Sequence, residues 1–156
     1  MDHPLPFRHY HPRRPLRYGW LHVVLPLLVG GLLYILYRPT SLLMFAWFAE
    51  LGLEPVVTNM RTLAGRLGVP PDFVVYSLPG GLWAYSLLAY LRLALGHQPG
   101  RLRGWLLPTA CLLVALELVQ LASARLGVFS PADLLTTVGA IGLFLTLTFR
   151  PQPAVP

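Results

Sequence analysis

The sequence predicts an all-α integral membrane protein: a bundle of about four transmembrane helices with short interfacial helices in the first outer loop. Three observations carry this expectation. Of the 156 residues, 55% are hydrophobic and only 12% charged, a balance that a water-soluble domain of this size would hardly keep in solution. Four stretches, 20–37, 73–95, 105–126 and 132–149, are apolar and long enough to cross about 30 Å of hydrocarbon at a rise of about 1.5 Å per residue. Trp20, Tyr37, Tyr76 and Trp105 stand near the ends of these stretches, where amphipathic rings suit the membrane–water boundary.

Residues 1–18 precede the first span and carry Arg8, Arg13, Arg14 and Arg17 among prolines and histidines. They read as an unfolded basic tail that touches anionic lipid headgroups. His3, His9 and His11 fall inside it without the ligand number or fixed geometry of a metal site. The apolar run after it contains Pro26 and ends at Tyr37-Arg38 with no small-residue cleavage site, so it reads as a retained helix and not as a removed signal. The stretch 38–72 is too long for a simple turn. Ser41 or Thr40 is placed to cap a short helix carrying Leu42, Leu43, Phe45, Trp47 and Phe48, which lies in the interface or plugs the bundle. After Glu54, the residues Val56, Met60, Leu63 and Leu67 recur at helical spacing, and Pro70-Pro71 closes the pattern. This second amphipathic helix is either a surface cap or a lid.

In the second span Tyr76, Pro79, Trp83, Ser86 and Tyr90 form a stripe at spacings of three and four, expected to face other helices. Pro79-Gly80-Gly81 is expected to kink the helix or to let another helix approach. In the third span Glu117 and Gln120 share a face one turn apart. An ionisable side chain at this depth costs a few kcal/mol, about 2.5–3.5 for Asp on insertion scales, and so faces protein or a wet cavity. Cys111, the single cysteine, reads as a small packing residue in the same helix. Ser130-Pro131-Ala132-Asp133 opens the fourth span, with Ser130 as cap and Asp133 suited to the helix N-terminus, and Thr136 and Thr137 extend the polar face.

The chain is expected to be one domain over 19–150, with a short C-terminal tail at 151–156. Arg92, Arg101, Arg103 and Arg150 fall on the side of the basic tail, and Arg38, Arg61, Arg66 and Arg125 on the other. Arginine bias therefore predicts both termini in the cytoplasm. The net charge of +6 does not imply nucleic acid, because the arginines flank apolar helices and no recognition motif is present. No histidine pair at metal spacing, no Gly-x-Ser-x-Gly and no Cys–His couple occurs, so no metal, no cofactor and no nucleophile is nominated.

The segment Glu117-Leu-Val-Gln120, then Gly127-Val-Phe129-Ser130-Pro131-Ala132-Asp133, then Gly139 and Gly142, together with Tyr76-Ser-Leu-Pro-Gly-Gly-Leu-Trp-Ala-Tyr85-Ser86, resembles the VanZ-like family of small bacterial membrane proteins, as a divergent member. The resemblance covers 73–145. It departs from the family where Thr137 stands in place of a common Asn or Tyr, and where an Arg between the Gln and the Asp is not clearly placed. The resemblance implies a bacterial inner-membrane protein of the cell envelope, since the namesake is linked to resistance to the glycopeptide teicoplanin; it implies no particular reaction. The expected function is non-catalytic: an outward-facing polar pocket of Glu117, Gln120, Asp133, Tyr76 and Trp83 holding an envelope lipid or polar headgroup. The alternatives are an accessory subunit of a larger membrane complex, packed through Gly30-Gly31, Gly80-Gly81 and Gly139-x-x-Gly142, and an intramembrane enzyme using Glu117 as acid or base on a lipid-linked substrate.

Overall fold

The computed structural model describes residues 15–122 and 129–149, and among them every regular element is helical. We label the helices α1 (Pro15–Tyr37), α2 (Leu43–Glu50), α3 (Glu54–Arg66), α4 (Phe73–Leu95), α5 (Pro99–Ala122) and α6 (Pro131–Thr148). Of these, α1, α4, α5 and α6 are long and apolar enough to cross a membrane, so the chain is an all-α, multi-pass membrane bundle. The basic residues and histidines before Pro15, the segment holding Arg125 and Gly127, and Arg150 onward lie outside the described residues.

Two helix starts differ from expectation. The tail gives way to helix at Pro15, before its expected end at Tyr18, and the third span begins at Pro99, ahead of Trp105. Proline fits the first helical turn, where its missing N–H leaves nothing unsatisfied and its fixed φ is already helical. Tertiary packing then favours the extra turns: Tyr18 packs against the core cluster, and Leu102 is buried in it.

The kink expected at Pro79 takes the form of a wide turn just upstream. Phe73–Ser77 is a π-turn that leads into Leu78-Pro79, and α1 repeats the device, with a π-turn at Trp20–Val24 leading into Leu25-Pro26. A proline ring clashes with the carbonyl four residues earlier, and widening that turn moves the carbonyl aside without breaking the helix.

The packing is built around α4. Half of its apolar window is buried, against 6% for α1, 6% for α5 and 11% for α6, so the other three spans turn most of their surface out of the bundle. The helix α1 runs antiparallel to α4, with His22 beside Tyr85 and Leu27 beside Trp83. The helix α6 runs parallel to α4, with Thr136 against Gly81, Phe144 against Tyr85 and Thr148 against Arg92. The helix α5 packs on α4 and α6, while among the described residues α1 meets neither α5 nor α6. Tyr85, Leu88, Ala89, Leu102, Leu106 and Phe144 form the shared core.

At one end, the cap end, α2 and α3 connect α1 to α4 along the chain, and α3 packs on α1 and α2. The N-cap of α2 is Leu42 in extended conformation, with no side-chain cap bond, so neither Thr40 nor Ser41 plays the expected part. Gly52 and Gly68 have φ of 70° and 94°, left-handed values that stop α2 and α3 and that a side chain would resist. Gly68 thus halts α3 ahead of the Pro70-Pro71 stop, and Leu67 falls beyond its last residue.

Candidate functional site

The cap-end junction of α5 and α6 gathers three of the five residues expected in the site. Glu117 and Gln120 are half-buried on the last turns of α5. Gln120 Nε2 donates to Glu117 Oε2 over a long 3.5 Å and to the Leu116 carbonyl at 3.4 Å. From α6, the Thr137 hydroxyl faces the Glu117 carboxylate, and Asp133 is close enough to act on it through its charge. Thr137 is 3% exposed, so its hydroxyl is committed to the interior of the junction.

Asp133 lies in the first turn of α6, where its charge complements the helix N-terminus. Ser130 closes that turn through its backbone carbonyl, which accepts from the N–H groups of Asp133 and Leu134 at 3.1 and 3.2 Å, and its hydroxyl makes no cap bond. Oδ1 of Asp133 is buried, and among the described residues it has no hydrogen-bond partner. Thr136 turns its hydroxyl back onto the carbonyls of Ala132 and Asp133, which lets α6 close against Gly81. There, a Cβ on the glycine would stand 3.1 Å from the Thr136 carbonyl oxygen. The junction is rich in acceptor oxygens from Glu117, Asp133 and Thr137, to which a cationic or donor-rich group is suited.

Tyr76 and Trp83 are not part of this junction. They share the face of α4 that meets α1, while Gly81 turns toward α6 and Tyr85 reaches both. Trp83 Nε1 donates to the Leu27 carbonyl at 3.3 Å, and its ring lies 5.4 Å from that of Tyr34. The Tyr76 carbonyl accepts from Arg38 at 2.9 Å. The Arg38 guanidinium sits between the Tyr34 and Tyr76 rings, 5.0 and 4.7 Å from their centroids. These contacts fasten the end of α1 to the start of α4. The glycines expected on outer packing surfaces divide in the same way: Gly30 and Gly81 are pressed against neighbours, whereas a Cβ on Gly31, Gly80, Gly139 or Gly142 would meet nothing. Cys111 is exposed on α5 and turns away from the bundle, contrary to the packing role expected for it.

A second polar constellation, not anticipated from the sequence, occupies the opposite end of the bundle. His22 Nδ1 and the Tyr85 hydroxyl share a hydrogen bond of 2.6 Å. The Tyr18 ring stacks on His22 at 4.6 Å, and the Arg92 guanidinium lies 5.4 Å from the Tyr18 centroid. Arg92 also donates to Thr148 Oγ1 at 2.8 Å, and Ser86 donates to the Val23 carbonyl at 2.7 Å. Arg92, expected on the side of the basic tail, is a buried residue of α4. The signal was present in the sequence: His22 and Arg92 each interrupt an apolar run, and polar side chains at such positions join helices.

Among the described residues no group of three His, Cys, Asp or Glu is placed to hold a metal ion. No family model matches the chain, and no curated protein or solved structure matches it.

Proposed function

We propose that this chain is a non-catalytic, VanZ-like protein of the bacterial inner membrane, which holds the polar headgroup of an envelope lipid between the ends of α5 and α6. The observation that carries the reading is the meeting of Glu117 and Asp133 beside Thr137, with one Asp133 oxygen buried and unengaged among the described residues. Such an acceptor-rich junction selects a headgroup bearing an amine or several hydroxyls over one that is all phosphate. The orientation follows arginine bias, with both termini cytoplasmic and the cap end outward. At the tail end, Arg17, Arg101 and Arg103 are exposed on the surface, which supports contact with anionic lipid there.

The test is native mass spectrometry of protein released from its own membranes in mild detergent, comparing wild type with Glu117→Ala and Asp133→Asn, each checked for unchanged helicity. Loss of one defined adduct from both variants is the expected result. An adduct pattern identical in all three proteins sinks the reading and leaves the junction as a packing contact. Turnover of the bound lipid that disappears in Glu117→Gln while binding persists would replace the binding role with an intramembrane enzyme.

A further inference from the structure

A concave surface among the described residues lies away from the α5–α6 junction. It is a groove of about 990 Å3 at the cap end, walled by α2, α3 and the end of α1. Its volume stands at the upper end of small-molecule sites, about 300–1,000 Å3. Leu36, Leu42, Phe45, Phe48 and Val57 supply apolar walls, and Thr40, Ser41 and Thr58 bring hydroxyls to the lining. The sequence reading gave this segment no ligand.

What surrounds the groove decides what fills it. Seven of the eight residues of α2 are apolar, with Glu50 closing its last turn: Phe45 and Phe48 line the groove, while Trp47 is exposed away from it, as is Leu51 just after the helix. A helix this apolar belongs in a nonpolar medium. Eight residues reach only about 12 Å, so α2 lies within one leaflet and does not cross it. The outer face of α1 continues this surface through exposed Leu28 and Leu32. Lipid chains are therefore what the groove opens onto.

The lining also carries one charge of each sign, both from α3. Arg61 donates to the Ile35 carbonyl and lies over the Phe45 ring, 5.2 Å from its centroid. These contacts hold the guanidinium at the wall, and its planar fork retains further donors suited to a phosphate. Glu54 lies seven residues earlier, two turns along the same helix face. A carboxylate there disfavours a headgroup with a second negative charge and suits one that pairs its phosphate with an ammonium.

We propose that this groove is a binding site for one zwitterionic phospholipid, its acyl chain lying on Phe45 and Phe48 and its phosphate held by Arg61. The site is separate from the α5–α6 junction and does not depend on it. Gly65 provides a clean block: it lines the groove, and a Cβ added there meets no atom within 4 Å. A phenylalanine at that position fills the groove without displacing the fold.

Purified protein is delipidated, reconstituted in vesicles of phosphatidylethanolamine or of phosphatidylglycerol, and recovered in mild detergent for native mass spectrometry. Wild type is expected to keep one phosphatidylethanolamine that Gly65→Phe does not keep, and to keep less phosphatidylglycerol. Arg61→Gln is expected to lower retention about tenfold, the effect of one lost charge-assisted contact, and Glu117→Ala to leave it unchanged. Equal retention by Gly65→Phe and wild type overturns the site, as does a wild type that keeps no lipid. Equal or greater retention of phosphatidylglycerol overturns the headgroup assignment. Because Arg61 also ties α3 to α1, its variant is read beside Gly65→Phe, whose thermal midpoint serves as the folding control.

Discussion

Adjacent glycines in α1 give the sharpest test of how this bundle packs. A Cβ on Gly30 would stand 2.6 Å from Trp83 Nε1, 2.9 Å from Trp83 Cδ1 and 3.3 Å from the Pro79 carbonyl oxygen, whereas one on Gly31 would touch nothing. Both substitutions to alanine gain the same helix propensity, about 0.8–1.0 kcal/mol. The difference between them therefore isolates the packing contact. Overfilling a packed site costs about 1–3 kcal/mol, and here Trp83 must swing off the Leu27 carbonyl and away from the Tyr34 ring. Gly31→Ala should leave stability unchanged or slightly raised, and Gly30→Ala should fall about 1–3 kcal/mol below it. With a sensitivity of about 2–4 °C per kcal/mol for a chain of this size, thermal unfolding followed by circular dichroism in one detergent resolves the gap. Equal midpoints for the two variants would refute the α1–α4 contact as described.

Three further outcomes follow from the same contacts. The His22–Tyr85 hydrogen bond of 2.6 Å should appear in a cycle of His22→Phe and Tyr85→Phe as a coupling of about 0.6–1.7 kcal/mol, the span seen for interhelical bonds in membranes; additive losses would contradict it. Arg38→Lys keeps the charge but loses the planar group between Tyr34 and Tyr76. The expected cost is about 0.5–2 kcal/mol, measured as a lowered thermal midpoint, and a midpoint equal to wild type would show that the stacking adds nothing. Cys111 faces outward from the middle of α5, where hydrocarbon keeps a charged reagent away. A charged maleimide should leave it unlabelled in intact vesicles and modify it after denaturation, and rapid labelling in vesicles would place water along that face.

Periodicity and residue chemistry made the spans legible because a membrane helix must satisfy its backbone internally and needs about 20 apolar residues to cross. That requirement is local, so the sequence by itself determined the all-α bundle, the second span in full, and the pairing of Glu117 with Gln120 one turn later. The glycine–proline segment was also readable as an irregularity, since a proline ring must displace a carbonyl wherever it falls in a helix. Its form as a π-turn before each Leu-Pro pair depended on which relaxation the neighbours allowed.

What only the tertiary structure decided was which faces meet. A period of 3.6 places Tyr76 and Trp83 on one stripe, but it does not say whether that stripe meets α1 or α6, and the packing directed it to α1 and Arg38. The acidic junction therefore formed from α5 and α6 alone, with Thr137 completing it. Likewise Arg92 met Tyr18, and Tyr85 met His22, only because α1 runs antiparallel to α4. In water, the hydrophobic effect would have marked each helix with one apolar face; in lipid, every face is apolar. The choice of partner then falls to close fit and polar contacts between helices, and those reside in the assembled structure.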